Sequence, residues 1–188
     1  MLLFGHLGIT LGIFFGLGIF IPRLRTIIDP KYLVIGALLP DLADKPIGRV
    51  IFASSVANGR IIGHTILFSL LLLLIGLCLY EKRRDIKVLT LASGSFFHLF
   101  EDQMWAQPPT FFWPLFGLNF PKDHNDYTGL EYLLKMLEQS FRHGFSHSHI
   151  TEIMGMGIMV IVTLYWLKKR LNKKNSDDIK THLVPATK

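Results

Sequence analysis

The chain has 188 residues, a net charge of +6 with histidine neutral, a mean hydropathy of +0.38 and a single cysteine. Half of its residues are hydrophobic and they fall in long unbroken runs, which excludes an ordinary soluble domain and a disordered chain. The basic residues gather at the ends of those runs, so the charge reads as membrane topology and not as a nucleic-acid surface, and the lone Cys78 excludes an internal disulfide framework.

The first run, residues 2–21, is broken only by His6 and Thr10 and is about the length that spans a bilayer. It has no basic segment before it and no small-x-small cleavage site before Pro22, so it is expected to stay as a membrane helix. Its glycines, Gly5, Gly8, Gly12 and Gly16, carry the spacing that lets helices approach closely. Asp29-Pro30 then reads as an N-cap and first-turn proline. The ten apolar residues 30–39 cover only about 15 Å, half a bilayer. They are expected to stop at Pro40 in the turn Pro40-Asp41-Leu42-Ala43-Asp44-Lys45-Pro46.

Residues 47–60 form a polar-flecked connection with an expected short interfacial helix. Residues 61–80 and 86–105 are the next membrane helices, the second containing His98 and Asp102, four apart and on one helical face. Residues 111–116, aromatic and broken by Pro114, suit an interfacial loop over a site. Residues 119–149 are polar, with an amphipathic helix expected over 129–141. His143, His147 and His149 are read there as a solvent-facing run. Residues 150–167 form a last membrane helix before Lys168-Lys169-Arg170. The expected fold class is therefore all-α: a polytopic membrane bundle of about five helices, one a broken half-span, with a polar outer-side loop region. Residues 1–170 make one membrane domain, and 171–188 a polar, disordered cytoplasmic tail.

Basic clusters follow the first, third and fifth helices, which places those ends and the C-terminus in the cytoplasm and the N-terminus outside, in the cell membrane. Measured at 1.5 Å per residue from the cytoplasmic end of each helix, His6, Asp41, His64, His98, Asp102 and Glu152 all lie about 17–24 Å up. Segments running in both directions thus bring ligand-type residues to one layer, where ionisable groups are costly and functional by default. Imidazoles with carboxylates suit a divalent metal, zinc first, with manganese or iron as alternatives. The metal-ligand set is His6, Asp41, His64, His98 and Asp102. Asp41 is also the candidate to orient a water, and Arg60 the candidate to hold a phosphate by its planar fork. Taken singly, each has a plainer explanation: a hydrogen-bonded structural histidine for His6, or helix capping and pairing with Lys45 and Arg49 for Asp41 and Asp44. Glu101 is expected to face away from the site, toward the headgroups.

The order Gly5-His6, Leu39-Pro40-Asp41, Arg60 with Gly63-His64-Thr65, His98-x-x-x-Asp102 and Trp113-Pro114 resembles the YdjM-like membrane-bound metal-dependent hydrolases over residues 5 to 117. That family has a second Asp two residues after the first, where this chain has Ala43 followed by Asp44, and a further His where this chain has Gly59. The resemblance implies a metal-dependent hydrolase. A looser likeness to zinc-dependent phospholipase C motifs tilts the substrate toward an ester or phosphoester of a membrane lipid or lipid-linked molecule. The alternatives are a transporter with a His/Asp relay and a membrane haem protein.

Overall fold

The computed structural model describes residues 3–52, 56–122, 131, 134–135, 138 and 147–183, with side chains in the last stretch described for 149–172. Among them the chain is all-helical. The helices are α1 (Leu3–Phe20), α2 (Leu24–Ile27), α3 (Pro30–Pro46), α4 (Ile66–Arg83), α5 (Lys87–Glu101), α6 (Pro108–Phe111) and α7 (His147–Leu183). A π-helical turn, Ile47–Ile51, extends α3, and a 3-10 turn, Met104–Ala106, follows α5. The amphipathic segment expected over 129–141 and His143 lie largely outside the described residues.

Among the described residues, two helices are long and apolar enough to cross a membrane, α1 and the 149–172 part of α7. The five-span expectation is therefore met only in part. Helix α4 has eighteen residues, but its last three are Glu81, Lys82 and Arg83, and α5 has only fifteen residues. Helix α7 also runs on to Leu183, through the segment expected to be a disordered tail. Extending a helix already formed costs far less than nucleating one, so a polar sequence can continue it.

The structure departs from the sequence reading at α3. Asp29 does cap it, accepting from the Lys31 N–H at 2.9 Å, with Pro30 in the first turn. Pro40 does not end it: the helix continues to Pro46, so residues 30–46 are one element of seventeen residues and not a half-span with a broken turn. A proline removes one donor from a helix and tends to kink it, but packing can hold the helix together around it. Here that packing is with α5. A Cβ on Gly36 would lie 2.1 Å from the Leu91 carbonyl oxygen, and one on Gly94 would lie 2.5 Å from that of Leu33. The two backbones cross in direct contact, over the buried Leu33, Ala37, Ala92 and Leu99.

A second close crossing joins the ends of the chain. A Cβ on Gly8 would lie 2.1 Å from the Gly155 oxygen, and one on Gly155 would lie 2.1 Å from the Phe4 oxygen. The small-residue spacing in α1 thus serves its contact with α7. At this crossing Glu152 on α7 accepts from the Phe4 N–H at 3.0 Å and the Gly5 N–H at 2.9 Å, filling two of the donors that a helix start leaves open.

Helix α4 starts at Ile66, five residues later than the apolar run suggests, because Thr65 caps it by accepting from the Phe68 N–H at 3.1 Å. Residues 58–65 are consequently a connection and not a first helical turn, and Arg60 does not stack one turn above His64 on a helix.

Candidate metal centre

Four elements deliver polar groups to one interior cluster: α1 brings His6, α3 Asp41 and Asp44, the 58–65 connection Arg60 and His64, and α5 His98 and Glu101 with Asp102 at its C-cap. The relative exposure of His6 is 1%, and His64 and His98 have none. A buried imidazole must find partners for both ring nitrogens or leave one aimed at something else.

Each imidazole has its Nδ1 tied to an oxygen. His98 Nδ1 lies 2.7 Å from the Ala37 carbonyl oxygen, which can only accept, so Nδ1 carries the proton and Nε2 the lone pair. His64 Nδ1 donates to Asp44 Oδ2 at 2.7 Å, and His6 Nδ1 to Glu101 Oε2 at 2.8 Å. These carboxylates are themselves fixed. Asp44 accepts from the N–H groups of Ile61 at 2.7 Å, Gly63 at 2.7 Å and His64 at 3.1 Å, and Glu101 Oε1 accepts from the Thr10 hydroxyl at 2.9 Å. An oxygen on one ring nitrogen that leaves the other free is the arrangement that orients histidines toward a metal.

The free nitrogens converge. His64 Nε2 and His98 Nε2 are 3.2 Å apart, and Asp41 Oδ1 lies 3.6 Å from the first and 3.7 Å from the second. Ligands about 2.0–2.1 Å from a tetrahedral ion are separated by about 3.3–3.4 Å, so this triangle has nearly the size of one tetrahedral face. A second group comprises His6, His98 and Asp102, with His6 Nε2 3.2 Å from Asp102 Oδ1. His6 Nε2 is buried and makes no hydrogen bond in this arrangement. The His6 and His98 rings stack at 4.0 Å. Cationic side chains close the outer edge: Lys45 pairs with Asp41 Oδ2 one turn along α3, and Arg60 reaches Asp102 Oδ2 with Nη2 at 2.8 Å and Nε at 3.0 Å. The residues fit a divalent cation, because two imidazole lone pairs facing each other at 3.2 Å repel unless a positive charge lies between them.

The family model described as YdjM inner membrane protein matches residues 1–176. The chain belongs to the YdjM inner membrane protein family. Neither the search of curated proteins nor that of solved structures found a match.

In this YdjM-family chain all five expected ligands come together, and Arg60 joins them, though its guanidinium is engaged on Asp102. One expectation is overturned, and one residue left open is placed. Glu101 does not face the headgroups: it turns inward to His6 and Thr10. It is the last residue of α5 and lies three after His98, so it shares the His98 face and meets α1 there. Asp44 is a full member of the centre, because α3 continues through Pro40. On a continuous helix positions three apart share a face, whereas positions two apart do not. Asp41 and Asp44 therefore flank one imidazole, Asp41 toward Nε2 and Asp44 on Nδ1 of His64.

Glu152, which depth along its helix groups with these residues, commits its carboxylate instead to the start of α1. The groups the sequence reading missed are the orienting ones: Glu101, Thr10 and the Ala37 carbonyl. Glu101 could have been found from its position three residues after His98 on the same helix; the carbonyl left no trace in side-chain types.

Proposed function

We propose that the protein is a membrane-bound metal-dependent hydrolase acting on an ester or phosphoester of a lipid or lipid-linked substrate. The observation that carries this reading is the pair His64 Nε2 and His98 Nε2, 3.2 Å apart, each with its Nδ1 proton committed elsewhere and Asp41 Oδ1 completing the triangle. A bound divalent ion, zinc first, would acidify water and polarise a phosphoryl or carbonyl oxygen. His6, Asp41, His64, His98 and Asp102 are the residues that would hold metal here. Three imidazole nitrogens and two carboxylates gathered in one small cluster suit divalent cations better than a planar haem.

The chain's own residues supply the rest. Asp41 turns Oδ1 toward the histidines and Oδ2 toward Lys45, so it can orient a water while Lys45 balances its charge. The Arg60 side chain is 35% exposed at the edge of the centre and keeps donors beyond those on Asp102, which suits it to meet an anionic oxygen arriving from outside. In the proposed topology the N-terminus is outside, the C-terminus cytoplasmic, and residues 1–170 form one membrane domain with the centre in its outer half. A lipid can reach a site recessed there by lateral entry, whereas a water-soluble substrate gains little from it. In this topology the exposed Leu115, Phe116 and Leu118 beyond α6 would sit among headgroups.

The test is metal analysis of the purified protein, followed by hydrolysis of a panel of phospholipids, lipid-linked phosphates and generic esters with and without chelator. Metal-dependent cleavage of one class is expected. A metal-loaded preparation that cleaves none of them but binds a transported solute would replace this reading with that of a transporter.

A further inference from the structure

The five ligands do not collapse onto one point. Their donor atoms fall into two trios, Asp41 with His64 and His98, and His6 with His98 and Asp102, each with all atoms within 4.8 Å of one another, and the two do not merge into a single set. Two ligands of one ion at about 2.1 Å can be no more than about 4.2 Å apart, so no single ion takes all five side chains as they stand. The two trios share His98, and His98 has one lone pair to give, because its Nδ1 proton is held by Ala37. That lone pair belongs to the tighter triangle with His64 and Asp41.

What remains is His6 Nε2, on a side chain 1% exposed and without a hydrogen bond, 3.2 Å from Asp102 Oδ1. That spacing again matches two ligands of one ion. His6 is prepared for the task, its Nδ1 fixed by Glu101 and Glu101 fixed by Thr10. We infer that the centre is binuclear: a first divalent ion on Asp41, His64 and His98, and a second on His6 and Asp102, with Glu101 as the residue that positions His6 for it. With only two protein ligands, the second ion keeps open positions, which suits binding an anionic oxygen of the substrate. It is also the ion nearer Arg60, which holds the other oxygen of Asp102.

This inference rests on the metal-centre reading above, and metal stoichiometry separates the two. The full chain in detergent is loaded with Mn(II), unbound metal is removed, and bound metal is counted by elemental analysis while its electron paramagnetic resonance spectrum is recorded. Two equivalents are expected, with the exchange-coupled spectrum of ions a few ångström apart, as in two-metal sites generally. His6→Ala should retain one equivalent and give an uncoupled six-line signal. Should His6→Ala not fold, Glu101→Gln serves in its place: it keeps the shape and should weaken the second ion by about 10–100-fold while leaving the first. One equivalent and an uncoupled signal in wild type, unchanged in the variants, overturns the second ion and leaves the metal reading intact. No bound metal in wild type overturns both.

Discussion

His98 Nδ1 donates to the backbone carbonyl of Ala37 at 2.7 Å, across the contact between α5 and α3. A carbonyl cannot donate, so the bond fixes the tautomer of a fully buried imidazole and sends its lone pair to the centre. The partner is backbone, so the bond depends only on how closely the two helices approach. Gly36 and Gly94 set that approach.

Adding a side chain at this crossing should therefore damage both stability and metal binding. In Gly94→Val the new Cβ would lie 2.5 Å from the Leu33 oxygen and 2.8 Å from the Ala37 nitrogen, both backbone atoms that cannot swing away. A loss of about 3 kcal/mol is expected, at the upper end of overpacking costs, together with loss of the His98–Ala37 bond. Thermal unfolding in detergent and metal content measure the two effects. A variant as stable as wild type would show that the helices do not meet backbone to backbone.

Asp44 is expected to act through His64. Asp44→Ala leaves the N–H groups of Ile61, Gly63 and His64 without their acceptor in a buried connection, at about 1–3 kcal/mol for each donor left unsatisfied. Asp44→Asn retains one acceptor oxygen and should fold better, yet lose about 10–100-fold in metal affinity through His64. Competition with a metal-binding dye reads the affinity. Equal affinities in wild type and Asp44→Asn would remove Asp44 from any role in orienting the imidazole.

Glu152 should separate from the centre functionally. Glu152→Gln keeps an acceptor near Phe4 and Gly5 but loses the charge at the start of α1, and Glu152→Ala loses both bonds. Destabilisation of about 1 kcal/mol for Gln and about 3 kcal/mol for Ala is expected, from the worth of charge-assisted bonds and the helix dipole. Metal content should be unchanged in both. Metal loss in a folded Glu152→Gln protein would make it a ligand.

Topology can be checked at the loop beyond α6. In a Cys78→Ser background, a cysteine at the exposed Asn119 should react with an impermeant thiol reagent in intact cells, and one at Lys169 only after the membrane is breached. The opposite pattern would invert the proposed orientation.

The amino-acid sequence by itself determined the helical class, the apolar character of α1 and α7, the capping of α3 by Asp29, and the ligand types and their order along the chain. These are local properties: run length, cap chemistry and the type of side chain at each position. That His6, Asp41, His98 and Asp102 come together was also legible, because rise per residue is fixed and each could be measured along its own segment; His64 joins them from the connection before α4, off the helix it was measured on. Tertiary structure alone decided three things. Pro40 stays within α3 because α5 packs on it, and this turns Asp44 toward His64. Glu101 shares a face with His98, but that α1 packs there and offers it His6 and Thr10 was decided by the tertiary contact. The tautomers of His6, His64 and His98 depend on which oxygens stand behind them, one of them the carbonyl of Ala37. A carbonyl is present at every position, so the sequence cannot mark the one that matters; only the approach of two helices at Gly36 and Gly94 selects it.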